Sequence, residues 1–398
     1  MTISTSSPQI ELLDISPTLH PVTQALGSKG KANAVALTPE VTALLDDNCV
    51  VAVGTSSGKD SDACAIAVNR HLNAIGHTGP RLLIHADLGA VEWGASLAGC
   101  QRLADHLGWE LIVVRRKAGG LMERWESRWS GNVQRFEDLA CVKLILPWST
   151  PSLKFCTSEL KVDPITAELK KRFPSQHILN VTGVRRQESS ARSKMAVSAP
   201  VKKLQRKNAV GLSWNAIIDW PVEDVVYAIY EAGLELHEAY TRYGMSRVSC
   251  TYCMMSALAD LQNSAACPDN RAIYIRMCRL EIISGFAFQG NRWLCDIAPH
   301  LLDEELRLQI PVAKAKATKR LEIEASIPSH MLFYKGWPSQ VPTWNEAVVL
   351  GKVRSQMSDL MGFDARFTEP QDIIDRYTFL IEQQANGVSL QKATRRSD

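Results

Sequence analysis

Short apolar, β-branched runs alternate with apolar residues at helical spacing along the first half of the chain. CVVAVG (49–54) reads as a strand, and TSSGKDSDACAIAVNRHL follows at once, polar and Gly-containing first, then apolar at helical spacing. RLLIHAD (81–87) is the next strand-like run, with a helix expected from Trp93 to His106, and ELIVVRR (110–116) is a third strand. KFCTSELKVDPITAELKKRF (154–173) reads as a loop leading into a helix. HILNVTGVRR (177–186) is a fourth strand, which Gly183 leaves at the sheet edge. Strands alternating with helices predict an α/β fold with a doubly wound, mostly parallel sheet and ligands at the strand C-termini.

After about residue 235 the strand signal fades. SALADLQNSAA, RAIYIRMCRLEII, LLDEELRLQ and PQDIIDRYTFLIEQQAN predict a mainly helical region, with KGWPSQVPTW (335–344) as a Pro/Trp-rich loop inside it. Residues 1–45 are Ser/Thr/Pro-rich and are expected to form an arm ending in a short helix at ELLDI or PEVTALLDD. The expected organisation is therefore an arm (1–45), an α/β unit (46–235) and a helical region with a Cys-x-x-Cys loop (236–398).

Composition adds exclusions. With 45% hydrophobic and 22% charged residues, the chain is neither disordered nor a coiled coil nor a disulfide-stapled mini-protein. A net charge of +3 announces no nucleic-acid or membrane partner, so any basic surface must be local. The start, MTISTSSPQIELLDISPTLH, has no cationic segment followed by an apolar run, and nowhere do 18 apolar residues run together. A cytoplasmic location is expected, with the ten cysteines as reduced core residues, metal ligands or reactive thiols.

Ser56-Ser57-Gly58-Lys59-Asp60-Ser61 carries the most chemistry. It stands between a buried strand and a helix start, where backbone N–H groups converge, the helix dipole adds positive charge and Lys59 adds a full charge. That combination suits a phosphate. GxxxxGK[ST] is absent, so it is not a Walker A loop.

This hexapeptide resembles the SGGKDS signature of the PP-loop ATP pyrophosphatase superfamily, with Ser57 in place of the first Gly. Three further segments resemble its PAPS reductase-like branch: HADLGAVEW (85–93), KFCTSELKVDPI (154–165) and VTGVRRQESSAR (181–192). The resemblance implies a Rossmann-like fold of the HUP type and binding of ATP with Mg²⁺. On it, the Ser56–Ser61 loop holds the β,γ-phosphates that leave as pyrophosphate, with Lys59 and Asp60 catalytic. Asp87 and Gly183 lie where the branch contacts nucleotide or Mg²⁺, and Arg185, Arg186 and Arg192 would pair with phosphate or sulfate oxygens, a task that suits the guanidinium fork.

Cys250-Thr-Tyr-Cys253 places two thiols within reach of one metal or one redox step, and the resemblance puts Cys156 at the mouth of the sheet. Three readings stay open: an iron–sulfur cluster on Cys156, Cys250 and Cys253, with Cys267 as a doubtful fourth ligand; zinc or a persulfide relay on the Cys250–Cys253 pair; or structural thiols. Lys202, Lys203, Arg206 and Lys207, and Lys314, Lys316, Lys319 and Arg320, are local basic clusters that either track a phosphate backbone or form solvated faces. Trp214, Trp337 and Trp344 either stack on bases or pack in the core, and His85 is a strand-end histidine.

Four activities compete. The chain looks most like the DNA phosphorothioation (DndC and SspD types) sulfurtransferase proteins. That likeness implies a DNA acceptor, a cysteine desulfurase as sulfur donor and other phosphorothioation subunits in an anti-phage defence complex. PAPS or adenylylsulfate reduction is the alternative, but the E-C-G-x-H tail and the adjacent Cys-Cys pair of those enzymes are absent, since Thr157 follows Cys156. A tRNA-thiolating PP-loop enzyme and a catalytically silent binding module complete the set. No membrane partner is expected, and homo-oligomerisation is left open.

Overall fold

The computed structural model describes residues 30, 31 and 33–393. Of the two short helices expected in the arm, ELLDI lies outside the described residues, and PEVTALLD forms α1 (Pro39–Asp46), its first turn capped by the Thr38 hydroxyl. The α/β unit then runs β1 (Val50–Gly54), α2 (Lys59–Ala74), β2 (Arg81–Asp87), α3 (Ser96–Leu107), β3 (Glu110–Arg115), α4 (Leu121–Glu137), α5 (Asp163–Arg172), β4 (Ile178–Val181), β5 (Ser198–Pro200), β6 (Gly211–Trp214) and α6 (Val222–Glu231). The helices of eight residues or more beyond it are α7 (Leu258–Ala265), α8 (Arg271–Ser284), α9 (Glu304–Ala325), α10 (Trp344–Met361) and α11 (Pro370–Ala385).

The sheet order is β3-β2-β1-β4-β6-β5, parallel except for the β5–β6 pair. The four strands read from the sequence are its central and left-hand members. The fourth stops at Val181, earlier than the pattern suggests, because the chain turns away at Thr182 and Gly183. Strands β5 and β6 and helices α4, α6 and α10 are not among the expected elements. Chain order runs outward from β1 through β2 to β3, then returns to β4 on the other side of β1. The switch point lies between β1 and β4, where a crevice opens at the strand C-termini.

Alternate strand residues bury into two faces. Val51, Val53, Leu83 and Leu179 pack with α1, α2 and α6, and Val50, Ala52, Ile84 and Ile178 pack with Leu169 of α5. Helix α4 joins a third core: its Trp125 and Trp129 pack with Trp148, Tyr274, Phe288 and the long C-terminal helices. The helical region is thus anchored on α4, between β3 and the Cys156 segment, and brings the Cys250–Cys253 loop back to the sheet's ligand edge. No described helix is long and apolar enough to cross a membrane.

Candidate functional site

The loop between β1 and α2 is shaped by its own small residues. Ser57 adopts φ +55°, the left-handed region that favours glycine. Its buried side chain turns toward α3, and the room for it comes from Gly99, where a Cβ would lie 1.9 Å from the Ser57 hydroxyl. The serine that departs from the SGGKDS signature is therefore matched by a glycine on another helix. Gly183 serves the same loop from β4: a Cβ there would stand 2.3 Å from the Asp60 carbonyl oxygen, so the strand exit can lie directly on the start of α2. The Ser61 hydroxyl closes the turn by donating to the Gly58 carbonyl at 2.8 Å.

Two buried cations at this loop share one carboxylate, which leaves a net positive charge. Lys59 (5% exposed) pairs with Asp60 at 2.8 Å, and Arg185 (4% exposed) donates to the other Asp60 oxygen at 2.6 Å. Burial opposes ionisation of Asp60, but the two cations outweigh it and hold its carboxyl below the usual carboxylate range. Arg185 is aimed further by Gln187 at 2.8 Å and the Trp220 carbonyl at 3.1 Å. The Tyr240 hydroxyl accepts the Lys59 backbone N–H at 3.2 Å and the Val248 N–H at 3.0 Å, linking the loop to the Cys-x-x-Cys segment.

A cavity of about 570 Å³ opens in front of this group. Lys59, Arg185 and Arg192 line it, and so do all three of Cys156, Cys250 and Cys253. A larger groove, about 810 Å³, runs beside β3 and α5; its Arg172 pairs with Glu110 and Glu168, and neither the β1–α2 loop nor a cysteine lines it. The converging chemistry belongs to the smaller cavity.

Cys156 sits on a single helical turn, Phe155–Thr157, held because the Arg124 and Arg128 guanidiniums of α4 stack on Phe155 and Arg124 grips Glu159 at 2.6 and 3.0 Å. The Cys250–Cys253 loop is fastened from both sides. Thr251 donates its N–H and hydroxyl to the Val91 carbonyl, and the Gln289 amide bridges the carbonyls of Cys253, Met254 and Ser256. Burial, reinforced by the neighbouring Cys253, pushes the Cys250 thiol up to about 12. The Cys253 sulfur instead accepts from the Arg247 guanidinium at 3.7 Å and the Met255 N–H at 3.4 Å.

Several expected site residues lie elsewhere. Arg186 turns outward to Asp219 and the Met195 carbonyl, so of the adjacent arginines only Arg185 faces the cavity. Cys267 is buried with Trp93, Ala239 and Met245 and does not line the cavity, so it is not placed as a fourth ligand. Asp87 accepts the Gly89 N–H at 2.7 Å and faces Arg115 at 3.6 Å; it does not line the cavity, although the next residue, Leu88, does. Arg320 is buried over Phe286 and pairs with Glu324, while Lys314 and Lys319 pair with Asp296 and Glu322, so that cluster forms no open phosphate track. Trp214 is a core residue. Tyr240, Arg247 and Gln289 were not legible as site residues, because each is a single side chain outside any motif.

The donor set fits some metal groups better than others. A single tetrahedral zinc holds its thiolates about 3.8 Å apart. Among the described residues only Cys278, Glu281 and Cys295 bring three ligand atoms within 4.8 Å of one another, so Cys156, Cys250 and Cys253 together are too spread for one such ion. The three thiols line one cavity. The Cys278 group is an internal anchor, since the buried Glu281 carboxylate takes the N–H groups of Phe288, Leu294 and Cys295. For Mg²⁺, Asp60 is committed to Lys59 and Arg185, which leaves Asp87 the freer carboxylate.

A family model described as phosphoadenosine phosphosulfate reductase domain matches residues 50–256, just over half of the chain. Among curated proteins no match is found.

Proposed function

The chain belongs to the phosphoadenosine phosphosulfate reductase domain family, and from that premise we propose that it spends ATP to adenylate an oxygen of a nucleic-acid acceptor, a DNA backbone phosphate, so that sulfur replaces that oxygen. The observation that carries this reading is one cavity lined by both Lys59 with Arg185 and the thiols Cys156, Cys250 and Cys253. Membership of the family implies binding of ATP and Mg²⁺, for which Asp87 is the side chain that would hold the ion together with the phosphates.

In this mechanism a non-bridging acceptor oxygen attacks the α-phosphorus of ATP. The bond from that phosphorus to the bridging oxygen breaks, and pyrophosphate leaves. Lys59 and the start of α2 stabilise the charge on the departing phosphates, and Arg185, kept in place by Asp60 and Gln187, meets the oxygens in flight. Sulfide, released from the donor persulfide by a thiol reductant that leaves as disulfide, then attacks the acceptor phosphorus, and AMP departs with the original oxygen. Cys156, Cys250 and Cys253 would hold an iron–sulfur cluster, which supplies soft-metal chemistry for handling sulfide.

Sulfonucleotide reduction is the second reading, favoured by the description of the family itself. One assay separates the two. The protein is incubated with ATP, duplex DNA, a persulfide-charged cysteine desulfurase and dithiothreitol, which supplies the two electrons that bring persulfide sulfur to the sulfide level, and in parallel with a sulfonucleotide and reduced thioredoxin. Pyrophosphate together with phosphorothioate in the DNA is the expected result. Sulfite from the second mixture, with no DNA product from the first, would decide for reduction.

A further inference from the structure

We infer that the thiol end of the cavity carries a second oxyanion subsite, built on Arg247 and Lys161 with Lys154 at its rim, which takes the phosphodiester or sulfate ester of the acceptor. It rests on the sulfur-transfer reading above and names the contact that reading lacks.

Charge balance makes the case. Six cations line the cavity: Lys59, Lys154, Lys161, Arg185, Arg192 and Arg247. Asp60 answers Lys59 and Arg185, and Glu188 answers Arg192. Among the described residues no carboxylate pairs with the other three. A half-buried guanidinium without a counter-charge is costly, and an anionic ligand removes that cost. Among the described residues the one hydrogen bond of the Arg247 side chain goes to the sulfur of Cys253, so an oxyanion bound to its other N–H groups lies beside the thiol that must deliver or direct sulfur.

The position is fixed and coupled to the nucleotide loop. Asp260 takes the Ser246 N–H at 2.7 Å and its hydroxyl at 2.6 Å, and Tyr240 takes the Val248 N–H. Both neighbours of Arg247 are therefore pinned while its own side chain stays available. The same Tyr240 hydroxyl holds the Lys59 N–H, so the two anion sites share one rigid strut. Met255 (45% exposed) lines the cavity, and Leu153 (48% exposed) precedes Lys154. Apolar surface beside unpaired cations suits a nucleic-acid strand, with its phosphates and flat bases, better than a small ester.

The test measures binding, which needs no turnover. A fluorescein-labelled DNA duplex and adenosine 5′-phosphosulfate are titrated separately into the full chain and into Arg247→Gln, Arg247→Lys and Lys161→Gln. Affinity for α,β-methylene-ATP is recorded on the same samples. Each Gln variant should weaken duplex binding about five- to tenfold and lower the salt slope by about one, with Arg247→Lys between it and the parent. Weakening seen only with the phosphosulfate supports the subsite with a small ester as its ligand. Unchanged binding of both probes overturns the subsite, and so does an equal loss of methylene-ATP affinity, which would mark a structural role. If the protein never releases pyrophosphate while these losses stand, the adenylation reading falls and the subsite does not.

Discussion

The two ends of one cavity are built on opposite rules. At the β1–α2 loop, Lys59, Asp60 and Arg185 satisfy one another, Gly183 and Gly99 make room for the backbone and Ser57, and Tyr240 ties the first helical N–H. At the thiol end the backbone is equally well fastened, yet among the described residues no carboxylate pairs with Arg247, Lys161 or Lys154, and Cys253 is partly exposed. A nucleotide triphosphate is a constant ligand, so its site can be organised in advance. An acceptor that arrives from outside needs charges left open for it.

The comparison breaks most visibly at sulfur. Serine at Cys156, Cys250 or Cys253 should lower sulfur transfer by at least about 100-fold, roughly 2.7 kcal/mol in the barrier, while leaving nucleotide binding in place. Cys267→Ser, in its separate apolar pocket, should cost only stability. Phosphorothioate yield by mass spectrometry reads the difference, and a dead Cys267→Ser would extend the thiol end beyond the cavity.

The loop end is tested next by Lys59→Ala. Loss of a charge-assisted phosphate contact should weaken ATP binding by about 2–3 kcal/mol in titration calorimetry. Unchanged affinity would mean that the loop does not hold the phosphates.

A smaller effect tests the advance organisation itself. Gly99→Ala drives a methyl into the Ser57 hydroxyl and should destabilise the fold by about 1–3 kcal/mol in urea unfolding. Adding Ser57→Gly should restore most of that loss. If the two substitutions couple by less than about 0.5 kcal/mol, Gly99 is not there for Ser57.

A last test is a pH effect beneath the loop. His85 sends Nδ1 to the Thr55 carbonyl at 3.0 Å and Nε2 to Glu92 at 3.1 Å, so both nitrogens face acceptors. Burial disfavours the charged ring, but contacts with Cys100 and Glu92 outweigh it, and the pKa is pushed from 6.5 up to about 10. The folded state then binds the extra proton, so this stabilisation is complete below pH 6.5 and is lost as pH rises through about 10. His85→Gln should flatten that slope in thermal melts.

Local pattern was enough for strands β1 to β4, the loop before α2 and the mainly helical C-terminal region, because each is written in neighbouring residues: a β-branched run, a Gly-Lys pair at a helix start, apolar residues at helical spacing. It also marked Cys250 and Cys253 by their spacing, while Cys156 was marked by the family resemblance. It missed α4, although Leu121, Trp125, Trp129 and Phe136 stand at helical spacing there, and it missed the short strands β5 and β6. What no local pattern could decide was which side chains meet. Arg185 and Arg186 are adjacent and chemically alike, and only the turn after β4 sends one to Asp60 and the other to Asp219. Cys253 and Cys267 are both cysteines of the same segment, and only the packing of Cys267 with Trp93, Ala239 and Met245 separates cavity from core. Tyr240, Gly99 and Arg247 owe their roles to partners 181, 42 and 6 residues away, and spatial proximity of that kind is created when the helices close over the sheet.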